Sequence, residues 1–243
     1  MKEKIYTMGK SIREKIILAV GAHPDDIDFS ASGTIAKWIK EGAKVYYLIC
    51  TNGNKGSDDP KMTHQKLARI RKNEQLAAAK ILGVKKVYFL GYNDTQLENN
   101  ISLKEKIVRV IRKVRPNIVF TLDPTMIYSR KRGYINHSDH RACGQATLDA
   151  VFPLARDRLS FLHHEKLGLK PHKVEEVYLS NFDDPDTFVN ITGTMNIKLK
   201  TLKAHASQIS EENLKRVKKW SSLLGRKKGY KFAEAFRKIK INS

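Results

Sequence analysis

An α/β protein built on one mostly parallel sheet is predicted by three features of the sequence. Short apolar runs recur along the chain, segments with helical spacing separate them, and glycine-rich or polar loops follow the runs. Runs at 15–21 and 43–51 bracket a helical segment at 30–41, whose Ile35, Ala36, Trp38 and Ile39 share a face and which stops beside Gly42. A long helix follows at 64–82, ended by Gly83. The next strand is at 86–91, the next helix at 102–114 (closed by Arg115-Pro116), and a fourth strand at 117–122. Residues 138–155 read as a helix, 173–180 and 188–192 as two further strands, and about 194–243 as a basic helical segment.

Strands alternating with helices imply a Rossmann-like sheet with helices on both faces, here in a single domain spanning 1–243. Ligands bind such sheets beyond the carboxyl ends of the strands. Four polar segments, 22–28, 51–59, 91–95 and 123–140, each follow a predicted strand and are expected to share that rim.

Of the 243 residues, 41% are hydrophobic, which is enough for a core and excludes general disorder. Lys and Arg number 46 against 25 Asp and Glu, a net charge of +21. That excess raises nucleic acid or another polyanion as a partner. From position 215 onward there are 11 basic residues and one acid, Glu234. Trp220, Tyr230, Phe232 and Phe236 interrupt them, so the favoured reading is an amphipathic helix pair with solvated lysines. No apolar run approaches the roughly 20 residues of a membrane span, and the basic start, 1–11, has no apolar stretch of a secretory leader. With only Cys50 and Cys143 there is no disulfide framework, and a cytoplasmic protein is expected.

The first strand empties into Ala22-His23-Pro24-Asp25-Asp26, and much later comes Asn136-His137-Ser138-Asp139-His140. His23 and Asp26 are spaced to face one point in a turn, and His137 and His140 share a helical face. Two histidines and one aspartate make a three-ligand set for Zn²⁺ with a coordination position left for water, as a catalytic site requires. Each cluster alone also reads as a helix cap. Arg71 and Glu74 read as a surface ion pair, Asp94 as a turn residue, and His64, His163, His164 and His172 as surface groups. His205 is expected in the interior.

The two motifs together resemble the zinc-dependent N-deacetylases, a family that includes phosphatidylinositol-glycan N-acetylglucosamine deacetylases and LmbE-like enzymes. The resemblance continues through Thr51-Asn52-Gly53, Arg71 with Glu74, 89–94, 203–208 and 229–236. It implies one Zn²⁺ per chain on His23, Asp26 and His140, with Asp25 as general base. It also implies that His137 stabilises or protonates the collapsing intermediate, with Asp139 orienting it, and that Arg71 and Asp94 hold sugar hydroxyls. The implied reaction removes acetyl from an N-acetylglucosamine-type sugar or conjugate. Many members carry Glu after Thr-Asn-Gly, where this chain has Asn54. Some relatives complete the pocket with a second subunit, so a homo-oligomer is an open expectation. Two other readings stand beside the hydrolase: a non-haem Fe(II) oxygenase, which uses the same ligand types, and a polyanion-binding module without catalysis.

Overall fold

The computed structural model describes residues 12, 14–180 and 183–242; the basic start at 1–11 lies outside them. Its elements follow the alternation of the sequence. They are β1 (Ile16–Gly21), α1 (Asp26–Lys40), β2 (Lys44–Thr51), α2 (His64–Leu82), β3 (Lys86–Tyr92), α3 (Ile101–Val114) and β4 (Ile118–Leu122). A two-residue hairpin, β5 (Tyr128–Ser129) and β6 (Tyr134–Ile135), interrupts the long loop before α4 (Ser138–Asp149). Then come β7 (Glu176–Ser180), β8 (Thr187–Asn190), α5 (Met195–Lys203), α6 (Glu211–Arg226) and β9 (Ala233–Lys240).

Seven strands form the main sheet in the order β3-β2-β1-β4-β7-β9-β8. The first five are mutually parallel, and β9 runs antiparallel to both its neighbours. Because β1, β2 and β4 are covered on both faces, they read as unbroken apolar runs, with Ile17, Leu18, Ala19 and Val20 all fully buried. Even residues of β1 face α3 and α4, and odd residues face α1. The chain leaves β1 toward β3 and then returns to β4 on the other side. This topological switch opens a crevice between the β1 and β4 carboxyl ends. The four polar segments therefore share one rim, as the alternation predicts.

Two boundaries differ from the sequence reading. The expected helix over 138–155 stops at Asp149, and Phe152 is extended at φ −143°, ψ 121°. Pro153 has no N–H to donate, and its ring disfavours helical backbone at the residue before it. The basic segment at about 194–243 is not helical throughout, since 233–240 is the strand β9. Here β7 offers an unpaired edge, and β9 fills it in the register Val177↔Ile239 and Leu179↔Arg237. Its Phe236 packs edge-on to Phe120 while Lys238 reaches Glu176. Among the described residues, no helix is long and apolar enough to cross a membrane.

Candidate metal centre and its surroundings

β1 ends at Gly21, and the chain turns through His23 and Pro24 into the N-terminus of α1. Asp25 occupies the cap position and Asp26 the first turn. His140 comes from the first turn of α4, over a hundred residues later. These segments bring three side chains around one point. His23 Nδ1 lies 3.3 Å from His140 Nε2 and 3.4 Å from Asp26 Oδ2, and His140 Nε2 lies 3.1 Å from Asp26 Oδ1. Ligands about 2.0–2.1 Å from a tetrahedral ion stand roughly 3.3–3.4 Å from one another, so the spacing suits a small divalent cation.

The outer nitrogen of each imidazole is anchored, as metal-bound histidines require. His23 Nε2 faces Asp94 Oδ1 at 3.0 Å and Asp139 Oδ2 at 3.2 Å, and His140 Nδ1 faces Asn136 Oδ1 at 3.1 Å. Asn136 is itself held, its Nδ2 donating to Met126 O at 2.8 Å. Burial opposes a charge on His23, yet Asp26, Asp139 and Asp94 together push its pKa up to about 12. Three carboxylates around a single imidazole are a surplus of negative charge that a dication would balance.

Asp25 stands beside this point. Burial raises its pKa to about 6, with Asp26 adding to the shift and Arg71, His205 and His23 opposing it. Asp26 is held well below the usual carboxylate range: burial opposes this, but His140 and His23 prevail. His137 caps α4, and its Nδ1 accepts the backbone N–H of Asp139 at 3.1 Å, which leaves the proton on Nε2. Burial and the nearby His23 lower its pKa, against the pull of Asp139 and Asp94.

The remaining expected site residues lie close by but face different partners. The Asp139 carboxylate accepts from the amides of Thr95 at 2.7 Å and Leu97 at 3.2 Å and meets His23, so only its backbone touches the His137 ring. Arg71 is 4% exposed rather than a surface residue. It donates to Gly53 O at 3.0 Å, Pro24 O at 2.7 Å and Asp25 Oδ1 at 3.2 Å, while Glu74 turns to Ser207. Gly53 explains the Thr-Asn-Gly motif. At φ +61°, a Cβ there would lie 2.5–2.8 Å from the Arg71 guanidinium. Asn54 ties two rim loops together, accepting from the Asp94 amide at 3.1 Å and donating to Asn93 at 3.1 Å.

A cavity of about 600 Å³ opens beside Asp25, Asp26 and His140. Its far wall includes Trp220 of α6, with the Arg132 guanidinium 4.2 Å over the indole. Sequence reasoning missed Asn136 as a ligand anchor, although it adjoins the histidine motif, and missed Trp220, whose approach depends on how α6 folds back.

A second His/Glu cluster joins His163 and His164 to Glu105, at 2.7 and 3.4 Å. His164 is fully buried, not at the surface as expected. Arg112 donates to its Nδ1 at 3.4 Å and also gathers the carbonyls of Leu154, Ala155, Asp157 and Ser160. With Nδ1 occupied by a donor, Nε2 carries the proton and donates to Glu105, so it has no lone pair for a metal.

Two imidazoles and a carboxylate around one point at the sheet's carboxyl rim, with a second carboxylate beside them, define the class: an α/β protein of the hydrolase type whose rim carries a cluster able to hold a metal ion. The chain belongs to the PIG-L, GlcNAc-PI de-N-acetylase, family, whose model matches residues 18–151. It is 34% identical over 232 residues to diacetylchitobiose deacetylase of Thermococcus kodakarensis, covering 92% of this chain and 82% of the relative. It is 28% identical to the probable N-acetyl-α-D-glucosaminyl L-malate deacetylase 2 of Bacillus anthracis, covering 81% and 83%. The solved structure of N,N'-diacetylchitobiose deacetylase from Pyrococcus horikoshii superposes with a TM-score of 0.85 at 30% identity, covering 93% of this chain and 84% of that one.

Proposed function

We propose that this chain hydrolyses the acetamide of an N-acetylglucosamine-type sugar or conjugate, releasing acetate and a free amine, with Zn²⁺ held by His23, Asp26 and His140. The observation that carries the reading is the 3.1–3.4 Å convergence of those three donors beside the half-buried Asp25 carboxylate. An ion bound there supplies a Lewis acid for the amide carbonyl and brings water's pKa from 15.7 toward about 7.

The chain's own groups carry the protons. Asp25, with a pKa near 6, takes a proton from the attacking water as the C–O bond forms. The neutral His137 donates its Nε2–H as a hydrogen bond to the developing oxyanion, and the proton that Asp25 took from the water passes to the nitrogen as the C–N bond breaks. Asp94 and Asp139 fix the His23 ring through Nε2, and Arg71 steadies Asp25 from behind. In this reading Arg71 and Asp94 serve the site through protein groups more than by holding sugar hydroxyls. The apolar Trp220 wall offers a face for a pyranose ring.

An Fe(II) oxygenase with this ligand set is generally built on an all-β double sheet, which the parallel βα alternation here does not match. A polyanion module would leave the converged donors without a role.

Acetate release tests the proposal, using N-acetylglucosamine, diacetylchitobiose and inositol- or thiol-linked N-acetylglucosaminides, with and without chelator and under nitrogen. Turnover should be independent of O₂ and abolished by chelator. Asp25→Ala should keep the metal and lose turnover, and His140→Ala should lose both. Strict O₂ dependence, or full turnover by folded Asp25→Ala, would overturn it.

A further inference from the structure

Asp25 is the one residue of the metal-binding turn whose backbone sits in a costly region. At φ 103°, ψ −30° it has the left-handed sense that side chains with a Cβ avoid. Such a conformation persists only where its surroundings over-determine it. Two side chains of α2, one helical turn apart, supply the constraint. The Arg71 guanidinium donates to Pro24 O at 2.7 Å, and Gln75 Oε1 accepts from the Asp25 N–H at 3.1 Å. That carbonyl and that N–H belong to the same peptide unit. Gripping both ends fixes the plane of the 24–25 peptide, and with it the rotation that aims the Asp25 carboxylate.

The Gln75 amide is itself locked. It is fully buried, and its Nε2 donates to Asp28 Oδ2 at 2.8 Å, so its oxygen must face Asp25. Asp28, also fully buried, is held by Tyr47 Oη at 2.9 Å and His205 Nε2 at 2.8 Å. A relay thus runs from β2 (Tyr47) and the loop just after α5 (His205) through Asp28 and Gln75 to a single amide at the site. None of these residues lines the cavity or belongs to the three converged donors.

We infer that Gln75, clamped by Asp28, is a positioning residue that sets the direction of the Asp25 carboxylate by holding the 24–25 peptide from the side opposite Arg71. The inference rests on the reading of Asp25 as general base, but part of its test does not. The variant is Gln75→Leu in the metal-loaded protein, with the charge-conserving swap Gln75→Glu/Asp28→Asn, which keeps an acceptor for the Asp25 amide and a donor–acceptor pair between positions 75 and 28, as the conservative partner.

For Gln75→Leu, kcat should fall about 10- to 100-fold, the range of one buried hydrogen bond turned into misalignment. KM and metal affinity should stay within about threefold, because neither the cavity wall nor the three donors are touched. Gln75→Glu/Asp28→Asn should recover most of the kcat. By NMR, exchange of the Asp25 amide should speed up at least about tenfold in Gln75→Leu, a readout independent of catalysis. Unchanged kcat in folded, metal-loaded Gln75→Leu overturns the inference, as does metal affinity falling in step with kcat. An Asp25 amide that stays protected in Gln75→Leu also overturns it, whatever the rate. If instead Asp25→Ala keeps full turnover while the amide result holds, the base assignment fails and the clamp stands.

Discussion

Replacing Lys198 with methionine tests how the C-terminal strand secures the helix that carries Asp26. Lys198 is 2% exposed and Glu234 3%, and their side chains meet at 2.6 Å. The pair is set into α1. Lys198 Nζ donates to Phe29 O at 2.6 Å, while Glu234 accepts from Gly33 N at 3.0 Å and Thr34 N at 2.7 Å. Phe29 O and Gly33 N are an i, i+4 acceptor and donor of α1, so the ion pair is hydrogen-bonded to one turn of that helix. Lys198→Met keeps the length of the side chain but strands a buried carboxylate and removes the donor to Phe29 O. Breaking one partner of a buried pair costs about 3–5 kcal/mol. At about 2–4 °C per kcal/mol for a chain of this size, Tm should fall by roughly 6–20 °C. Calorimetry at saturating, fixed metal keeps the ligand contribution constant. Lys198→Met/Glu234→Gln removes the stranded charge and should be more stable than the single variant. A Tm within about 2 °C of the parent, or a double variant that loses further stability, would refute the reasoning.

Gly53→Ala forces a Cβ against the Arg71 guanidinium at a left-handed φ. Strain and overpacking together should cost about 2–5 kcal/mol, read by urea unfolding, with kcat falling as Arg71 leaves Asp25. A base must be unprotonated, so kcat/KM should decline as pH falls through the Asp25 pKa, about 6 without metal and lower beside a bound dication. Arg71 opposes the upward shift, so a pH–rate profile of Arg71→Met should show this acid limb displaced upward. The His205 pKa is raised because Asp28, Asp25 and Glu74 outweigh its burial. A raised histidine stabilises the fold fully below its unfolded pKa of about 6.5 and loses that contribution as pH rises through the folded value. The Tm gap between the parent and His205→Gln should therefore be widest in mild acid and close in alkali.

The alternation of apolar runs and helical segments determined the parallel sheet and the shared rim, because period and burial are local properties of the chain. The side-chain types of the proposed ligand set were legible for the same reason: His23 and Asp26 sit three apart after a strand, and His140 opens a helix. Their convergence was not local, since it depends on β4 lying beside β1 and on α4 starting where that crevice opens. Partners set by tertiary packing escaped a linear reading. Arg71 looked like half of a surface ion pair until α2 packed behind the Asp25 turn. Asp139 looked like the orienter of His137 until the first turn of α4 aimed its carboxylate at His23. The segment at 233–240 shows the limit best, because its charge pattern suits a solvated helix. Only the unpaired edge of β7 and the buried cation at Lys198 make it a strand whose Glu234 reaches into α1.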